Sequence, residues 1–595
     1  MTLTGTGGES GDAKGVTARP ERDPGTLAAP EPQPAGPAGP EPKPAAAEPA
    51  PAAPQPALTA QEPEPALTAP EPESAAPEPE PAAPAGPATA PARVRLPVAL
   101  AVALAGGLAL AAAFPPVGIW PLAPAGPALL AVALWRRGLG ASLLTGLVFG
   151  LAFFVPLLSW LLNVAWYAWL ALAASEAVIF AVLAVGQRVL LGLRAWPLAV
   201  AGWWVCAEAL RARWPYAFPW GRLAMSQAGT PAAPWAAIGG APLLTFVVAL
   251  AGATLAWALL IPGRRRAMPW LVVAAAAVGL ALAGSLLPVD RQAPGTPTAT
   301  VAAVQGNVPH ARNLPDLLRA STVTTNHVAA TERLAAQVRS GARPAPDLVI
   351  WPENAADLDP RLYPQVYARI SAAVNAINRP VLVGTLLADP VRNASQLWLP
   401  GRGPVQTYVK RQLVPFGEYI PFRGLLKHIT SLVNLQPQNF TAGHRAVVFR
   451  AGKIRLGDVI CYEIGFDHLV SSEVNAGANL LAMQTNDATF EVDGQRGETL
   501  QQLAMARIRA VESNRAVVVA STTGVSAIIA PDGRLLAHSG TWRQAVLVAR
   551  VPLMSQRTLA DRLGAWPEAT IVALTLLAFA WAATASLRRR RAAAS

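Results

Sequence analysis

A membrane-embedded bundle of about eight transmembrane helices joined to an α/β domain is the fold class this sequence predicts, and three observations predict it. Hydrophobic residues fill 52% of the 595 positions and charged residues only 14%, a balance that suits a membrane protein better than a soluble enzyme. Apolar runs follow one another from Leu96 to Pro288, and a further one lies at 568–587. Between them, residues 296–560 alternate short β-branched runs with amphipathic segments, the pattern of strands and helices sharing a buried sheet.

The first 92 residues stand apart. They are rich in Pro, Ala and Glu and carry 13 acidic against 4 basic side chains. With so few branched aliphatic or aromatic residues they cannot bury enough apolar surface to offset chain entropy, so a disordered, polyproline-like tail is expected. No signal peptide is expected, because the first apolar run starts near Leu96.

Spans are expected near 96–114, 122–135, 141–163, 167–190, 196–212, 236–261, 268–287 and 568–587, most of them near the roughly 20 residues needed to cross the hydrocarbon. The second is short and interrupted by Pro. Although the net charge of +12 raises nucleic acid as a partner, the excess sits in Arg136–Arg137, Arg264 to Arg266 and Arg588 to Arg591, at the ends of apolar runs. Membrane rather than nucleic acid is the expected partner. By the positive-inside rule both termini are cytoplasmic, and residues 289–565 form an extracytoplasmic domain between the seventh span and a C-terminal segment, 566–595. Arg211, Arg213 and Arg222 break the pattern. Two readings are open: they lie in the headgroup zone, or they hold phospholipid phosphate.

Within the α/β region the expected strands are 298–305, 347–351, 380–387, 457–462, 479–486, 516–523 and 525–530, with helices at 361–378 and 497–515 and a PDG turn at 531–533. Three short segments put reactive side chains at or near strand ends, where active groups of α/β sheets gather. Glu353 follows DLVIWP, Lys410 and Glu418 flank an apolar turn-rich loop, and Cys461 ends GDVIC. A carboxylate can take a thiol's proton, and an ammonium favours thiolate and steadies an oxyanion. The backbone N–H of Tyr462 supplies a second candidate oxyanion donor. Singly, each has a plainer reading: a solvated Glu, a surface Lys, a core thiol. Cys206 lies in an apolar run, so a disulfide with Cys461 is not expected. No H-E-x-x-H, P-loop or G-x-G-x-x-G spacing occurs, so neither a metal nor a nucleotide cofactor is expected.

W-P-E at 351–353, K-x-x-L-V-P-F-G-E-Y-x-P at 410–421 and C-Y-E at 461–463 resemble the signature segments of the nitrilase superfamily, and most closely its membrane-embedded branch, the apolipoprotein N-acyltransferases. V-Q-G-N at 304–307, T-N-D-A at 485–488, M-A-R-x-R-A-x-E at 505–512 and F-P-W at 218–220 agree. The resemblance covers roughly 96–590. It implies an αββα sandwich and a Glu353–Lys410–Cys461 triad, with Glu418, Tyr462 and Glu463 in support. It also implies a bacterial plasma-membrane enzyme that passes an acyl group from a phospholipid donor, through a thioester, to a diacylated lipoprotein acceptor. Thr489 stands where the family commonly has Trp, and Gln501–Gln502 where a Gln-His pair is usual, departures expected to affect the lid and acceptor access. A membrane-tethered amidase and a non-catalytic membrane scaffold are the competing expectations.

Overall fold

The computed structural model describes residues 95–260, 264–289, 292–309, 315–428, 433–434, 438–491 and 494–592. The acidic tail expected over 1–92 lies outside the described residues.

Helices occupy all eight apolar segments: α1 Leu96–Ala113, α2 Ala125–Leu134, α3 Leu139–Leu157, α4 Trp166–Leu190, α5 Trp196–Arg211, α6 Ala236–Leu260, α7 Arg264–Leu282 and, at the chain's far end, a helix over Trp566–Ala592. Among the described residues, five of these stretches are long and apolar enough to cross a membrane; Trp120–Leu134 and Leu271–Leu286 are shorter apolar helical stretches. The expected second span is shortened because Pro121 and Pro124 interrupt it, leaving a 3-10 turn at Trp120–Leu122 ahead of α2. The third stops near Pro156 and continues as the 3-10 turn Ser159–Asn163. Small residues let the helices approach closely: a Cβ on Gly107 would lie 2.4 Å from the Phe149 carbonyl oxygen, and one on Gly150 would lie 2.6 Å from the Ala177 Cα.

The α/β region comprises β1 Thr298–Gln305, α8 Asp316–Arg339, β2 Leu348–Ile350, α9 Pro364–Ile377, β3 Val381–Leu387, β4 Arg392–Leu399, β5 Gly403–Val409, α10 Arg423–Leu426, β6 Val448–Ala451, β7 Ile454–Ile460, α11 Asp467–Asn475, β8 Leu480–Thr485, α12 Gly497–Ser513, β9 Val517–Ser521, β10 Ala527–Ile529, β11 Leu535–His538 and β12 Ala545–Pro552. Helix α13, Leu559–Leu563, leads into α14, Trp566–Ala592. The strands form two six-stranded sheets, ordered β12-β1-β2-β3-β4-β5 and β11-β10-β9-β8-β7-β6. Both faces of each sheet are covered, so the strands read as near-continuous apolar runs. In β1, Val301 and Ala303 point into the core between the sheets while Ala302 and Val304 meet α8 and α9. In β9, Val518 and Ala520 point between the sheets, whereas Val517 and Val519 join α11, α12 and the membrane helices in one continuous core. That shared core seats the sandwich on the bundle.

The arginines that broke the charge pattern are structural. Arg211 is 1% exposed, is paired with the fully buried Glu176, and donates to the Trp220 carbonyl at 2.6 Å. Arg222 is buried between Glu208 and Asp467. Arg213 is exposed and pairs with Glu568 at 2.5 Å. Neither the headgroup-zone reading nor the phosphate reading fits the two buried ones, because carboxylates already hold their guanidinium groups. Arg211→Ala is expected to cost about 3–5 kcal/mol, since it strands a buried carboxylate, and thermal unfolding in detergent measures it. A midpoint equal to wild type would contradict this account of Arg211.

Candidate active site

Glu353 is placed by the end of β2. Trp351 N–H still donates to the Leu382 carbonyl at 2.8 Å, and Pro352 then ends the ladder. Gly384 on β3 lets this turn pass: a Cβ there would sit 2.2 Å from the Pro352 oxygen and 2.8 Å from the Glu353 Cα. Lys410 follows β5, with its N–H bonded to the Asn393 carbonyl at 2.9 Å. Cys461 follows β7 and opens the 3-10 turn Cys461–Gly465 in a left-handed conformation, φ 53°. A non-glycine residue in that region is strained, and such strain collects at working sites.

The fold gathers these residues from separate strands. Lys410 Nζ lies 3.0 Å from Glu353 Oε1 and 3.0 Å from Glu418 Oε1. Asn393 Nδ2 bridges the same two oxygens at 2.6 and 2.9 Å. Glu353 Oε2 accepts the Asn486 N–H at 3.0 Å, and Glu418 Oε2 accepts the Val414 N–H at 2.8 Å. Glu353, Lys410 and Cys461 are all buried.

Burial raises the proton affinity of Glu353; Lys410 opposes that rise and Glu418 adds to it. Burial alone would lower Lys410, but Glu353 and Glu418 outweigh it and hold the ammonium above its ordinary range. The Cys461 thiol is pushed well up by burial and by Glu353, against the pull of Lys410. The resting site is therefore a thiol beside a carboxylate more basic than a solvated one, with a cation held charged. That suits base-assisted attack by sulfur.

Glu463 binds the two halves of the site together. Its Oε2 accepts the Ile460 N–H at 2.7 Å, just ahead of Cys461, and its Oε1 accepts the N–H groups of Arg411 and Gln412 at 2.7 and 3.1 Å, after Lys410. Tyr408 donates to the same carboxylate at 2.8 Å. The Tyr462 side chain serves a different purpose: it donates to the Ala217 carbonyl at 2.6 Å and stacks on Trp220, with ring centroids 6.0 Å apart. The F-P-W segment between α5 and α6 is thus the seat of the turn that Cys461 opens.

The M-A-R-x-R-A-x-E motif lies on α12 and does similar work. Arg509 donates to the Ile464 and Gly465 carbonyls at 2.9 and 3.0 Å, and Glu512 accepts the Ala241 N–H of α6 at 3.3 Å. Gln501 donates to the Pro115 and Leu157 carbonyls, both at 3.0 Å, and accepts from Trp220 at 2.7 Å.

Sequence reasoning missed Asn393 and Asp458. Asn393 lies in β4, where Asn393, Ser395 and Gln396 interrupt the apolar run. Asp458 is joined to Gln484 through Ser395, and Gln484 donates to the Trp351 carbonyl at 2.5 Å. Burial pushes Asp458 up to about 8, so near neutral pH it is largely a protonated strut between the sheets. The polar interruption in an otherwise apolar run was the available signal. Gln502, the departure expected to affect acceptor access, places its amide 3.5 Å from the Cys461 sulfur. Thr489 instead lines a cleft of about 300 Å³ with Asn354, Asp357 and Asn486, next to Glu353.

Residues 106–254 match the family described as the apolipoprotein N-acyltransferase N-terminal domain, and 300–561 match carbon-nitrogen hydrolase. The apolipoprotein N-acyltransferase of Mycolicibacterium smegmatis is 38% identical over 80% of this chain and 83% of its own length. The chain belongs to the apolipoprotein N-acyltransferase family. The family's protein from Azotobacter vinelandii is 31% identical over 82% of this chain and 95% of its own. A mutant of the Nesterenkonia AN1 amidase, from the nitrilase superfamily, is 17% identical, covering 44% of this chain and 93% of its own at a TM-score of 0.33. The acyltransferase family therefore spans both the helical bundle and the sandwich, and the scaffold expectation falls to the enzyme one.

Proposed function

We propose that this acyltransferase moves a fatty acyl group from a phospholipid to the N-terminal α-amine of a diacylglyceryl-cysteine lipoprotein, through a thioester on Cys461. Glu353 takes the thiol proton, and the thiolate attacks the ester carbonyl. Lys410 and the Tyr462 N–H steady the oxyanion. The carbon–oxygen bond then breaks, the leaving alkoxide recovers the proton from Glu353, and a lysophospholipid departs. The acceptor amine attacks the thioester next and loses its proton to Glu353, while the sulfur leaves as thiolate and regains a proton. Glu418 and Asn393 keep Lys410 and Glu353 aligned, and Glu463 keeps the two loops in register.

The observation that carries a lipid substrate is the contact of Tyr462 with Ala217 and Trp220. It seats the reacting sulfur one residue away from the segment that joins membrane helices α5 and α6. Exposed Trp166, Trp214 and Trp566 lie at the ends of α4, α5 and α14 on this same side, where an aromatic belt marks a bilayer surface. The arginine clusters at the opposite ends favour cytoplasmic termini and an extracytoplasmic catalytic region in a bacterial plasma membrane.

Full-length protein given radiolabelled phospholipid and a diacylated lipopeptide is expected to label the peptide's amine. Label recovered only as free fatty acid would make water the acceptor and the chain an amidase-like hydrolase.

A further inference from the structure

We propose that Gln502 is a further catalytic residue: its side-chain amide donates a hydrogen bond to the Cys461 thiolate and is held in place by Glu498. The inference rests on Cys461 being the nucleophile. Gln502 and Glu498 lie four residues apart on α12, an element that carries none of the triad, and both are 2% exposed. Gln502 Nε2 lies 3.5 Å from Cys461 Sγ and also donates to Glu498 Oε1. Its Oε1 has no partner among the described residues. Both polar contacts of the amide therefore run through its NH2 group, to two acceptors.

The sulfur needs such a donor. Cys461 is buried, and it faces Glu353 from the end of β2, Lys410 from the end of β5, Glu498 from α12 and the Thr485 hydroxyl from β8. The charge on Lys410 is already shared between Glu353 and Glu418. A thiolate in this setting gains from each N–H aimed at it. Glu498 is a suitable anchor because its surroundings favour the neutral acid: burial raises it well above the usual carboxyl range, and the charges of Asp487, Glu491 and Glu353 add to the rise. A neutral Glu498 positions the amide without setting a second negative charge against the sulfur.

The test reads the thiol itself. Full-length protein in detergent is alkylated with iodoacetamide across pH, and modification of the Cys461 peptide is followed by mass spectrometry. Gln502→Met, which keeps the chain length and removes the donor, is expected to raise the midpoint of reactivity by about one pH unit and to slow acylation about tenfold. Gln502→His, which supplies a ring N–H, is expected to recover most of that shift. Should Gln502→Met fail to fold, Gln502→Asn draws the amide off the sulfur and carries the same expectation. A Met or Asn profile superimposing on wild type would overturn the proposal, as would a Gln502→His profile displaced as far as that of Gln502→Met. Wild-type protein that alkylates at Cys461 but transfers no acyl group would count against the acyltransferase reading alone.

Discussion

Cys461→Ala is expected to lower acyl transfer by about a millionfold, to background, because no other group at the site can form the covalent intermediate. Intact-mass analysis after incubation with phospholipid should show one added acyl chain on wild type and none on the variant. The second cysteine is not expected to rescue it: Cys206 is free but lies within helix α5, away from Glu353 and Lys410. The substitution removes one sulfur from a position that is 8% exposed, and neither Lys410 nor Glu353 loses its direct hydrogen-bond partners. Thermal unfolding should therefore move little while chemistry disappears. Retained transfer by a well-folded Cys461→Ala protein would end the thioester mechanism.

Lys410→Met is expected to lower transfer at least about a thousandfold and to destabilise the fold as well. The ammonium lies 3.0 Å from each of two carboxylates that Asn393 also bridges. Without it, Glu353 and Glu418 face each other in a buried site, and like charges that close cannot both stay ionised. Glu353 then carries a proton when it should be accepting one. Loss of oxyanion stabilisation alone is worth about a hundred- to a thousandfold, and the loss of the base adds to it. Removing one partner of a buried ion pair costs about 3–5 kcal/mol, which thermal unfolding will register. Arginine is no substitute, since its planar fork cannot replace a compact ammonium between two oxygens. Activity within tenfold of wild type would show that neither charge balance nor oxyanion contact depends on Lys410.

Several parts of the fold were hidden in the sequence for identifiable reasons. Strand β4 escaped notice because Asn393, Ser395 and Gln396 break its apolar run, and those side chains are polar because they serve the site or the network between the sheets. Strands β5, β6, β11 and β12 lie at or next to sheet edges, and β5, β11 and β12 include half-buried or exposed positions. They lack the continuous apolar signature of the central strands. Helix α8 is rich in Thr and charged residues, so its apolar stripe is weak. The buried arginines misled for another reason. Arg211 and Arg222 look like interfacial charges until their partners, Glu176, Glu208 and Asp467, are seen to come from distant segments.

By itself, the sequence determined the two-part architecture and the central strands, and it named Glu353, Lys410, Cys461, Glu418 and Glu463 as candidate site residues. Hydrophobic period and run length are local properties, and the motifs are contiguous. Only the tertiary structure decided how those residues meet: Asn393 bridging two carboxylates, Glu463 joining two loops, Tyr462 seated on the F-P-W segment, Gln502 against the sulfur. Each is a contact that joins residues tens to hundreds of positions apart, formed only when the strands, loops and helices that carry them pack together. Such contacts depend on how whole elements dock, which no local pattern encodes.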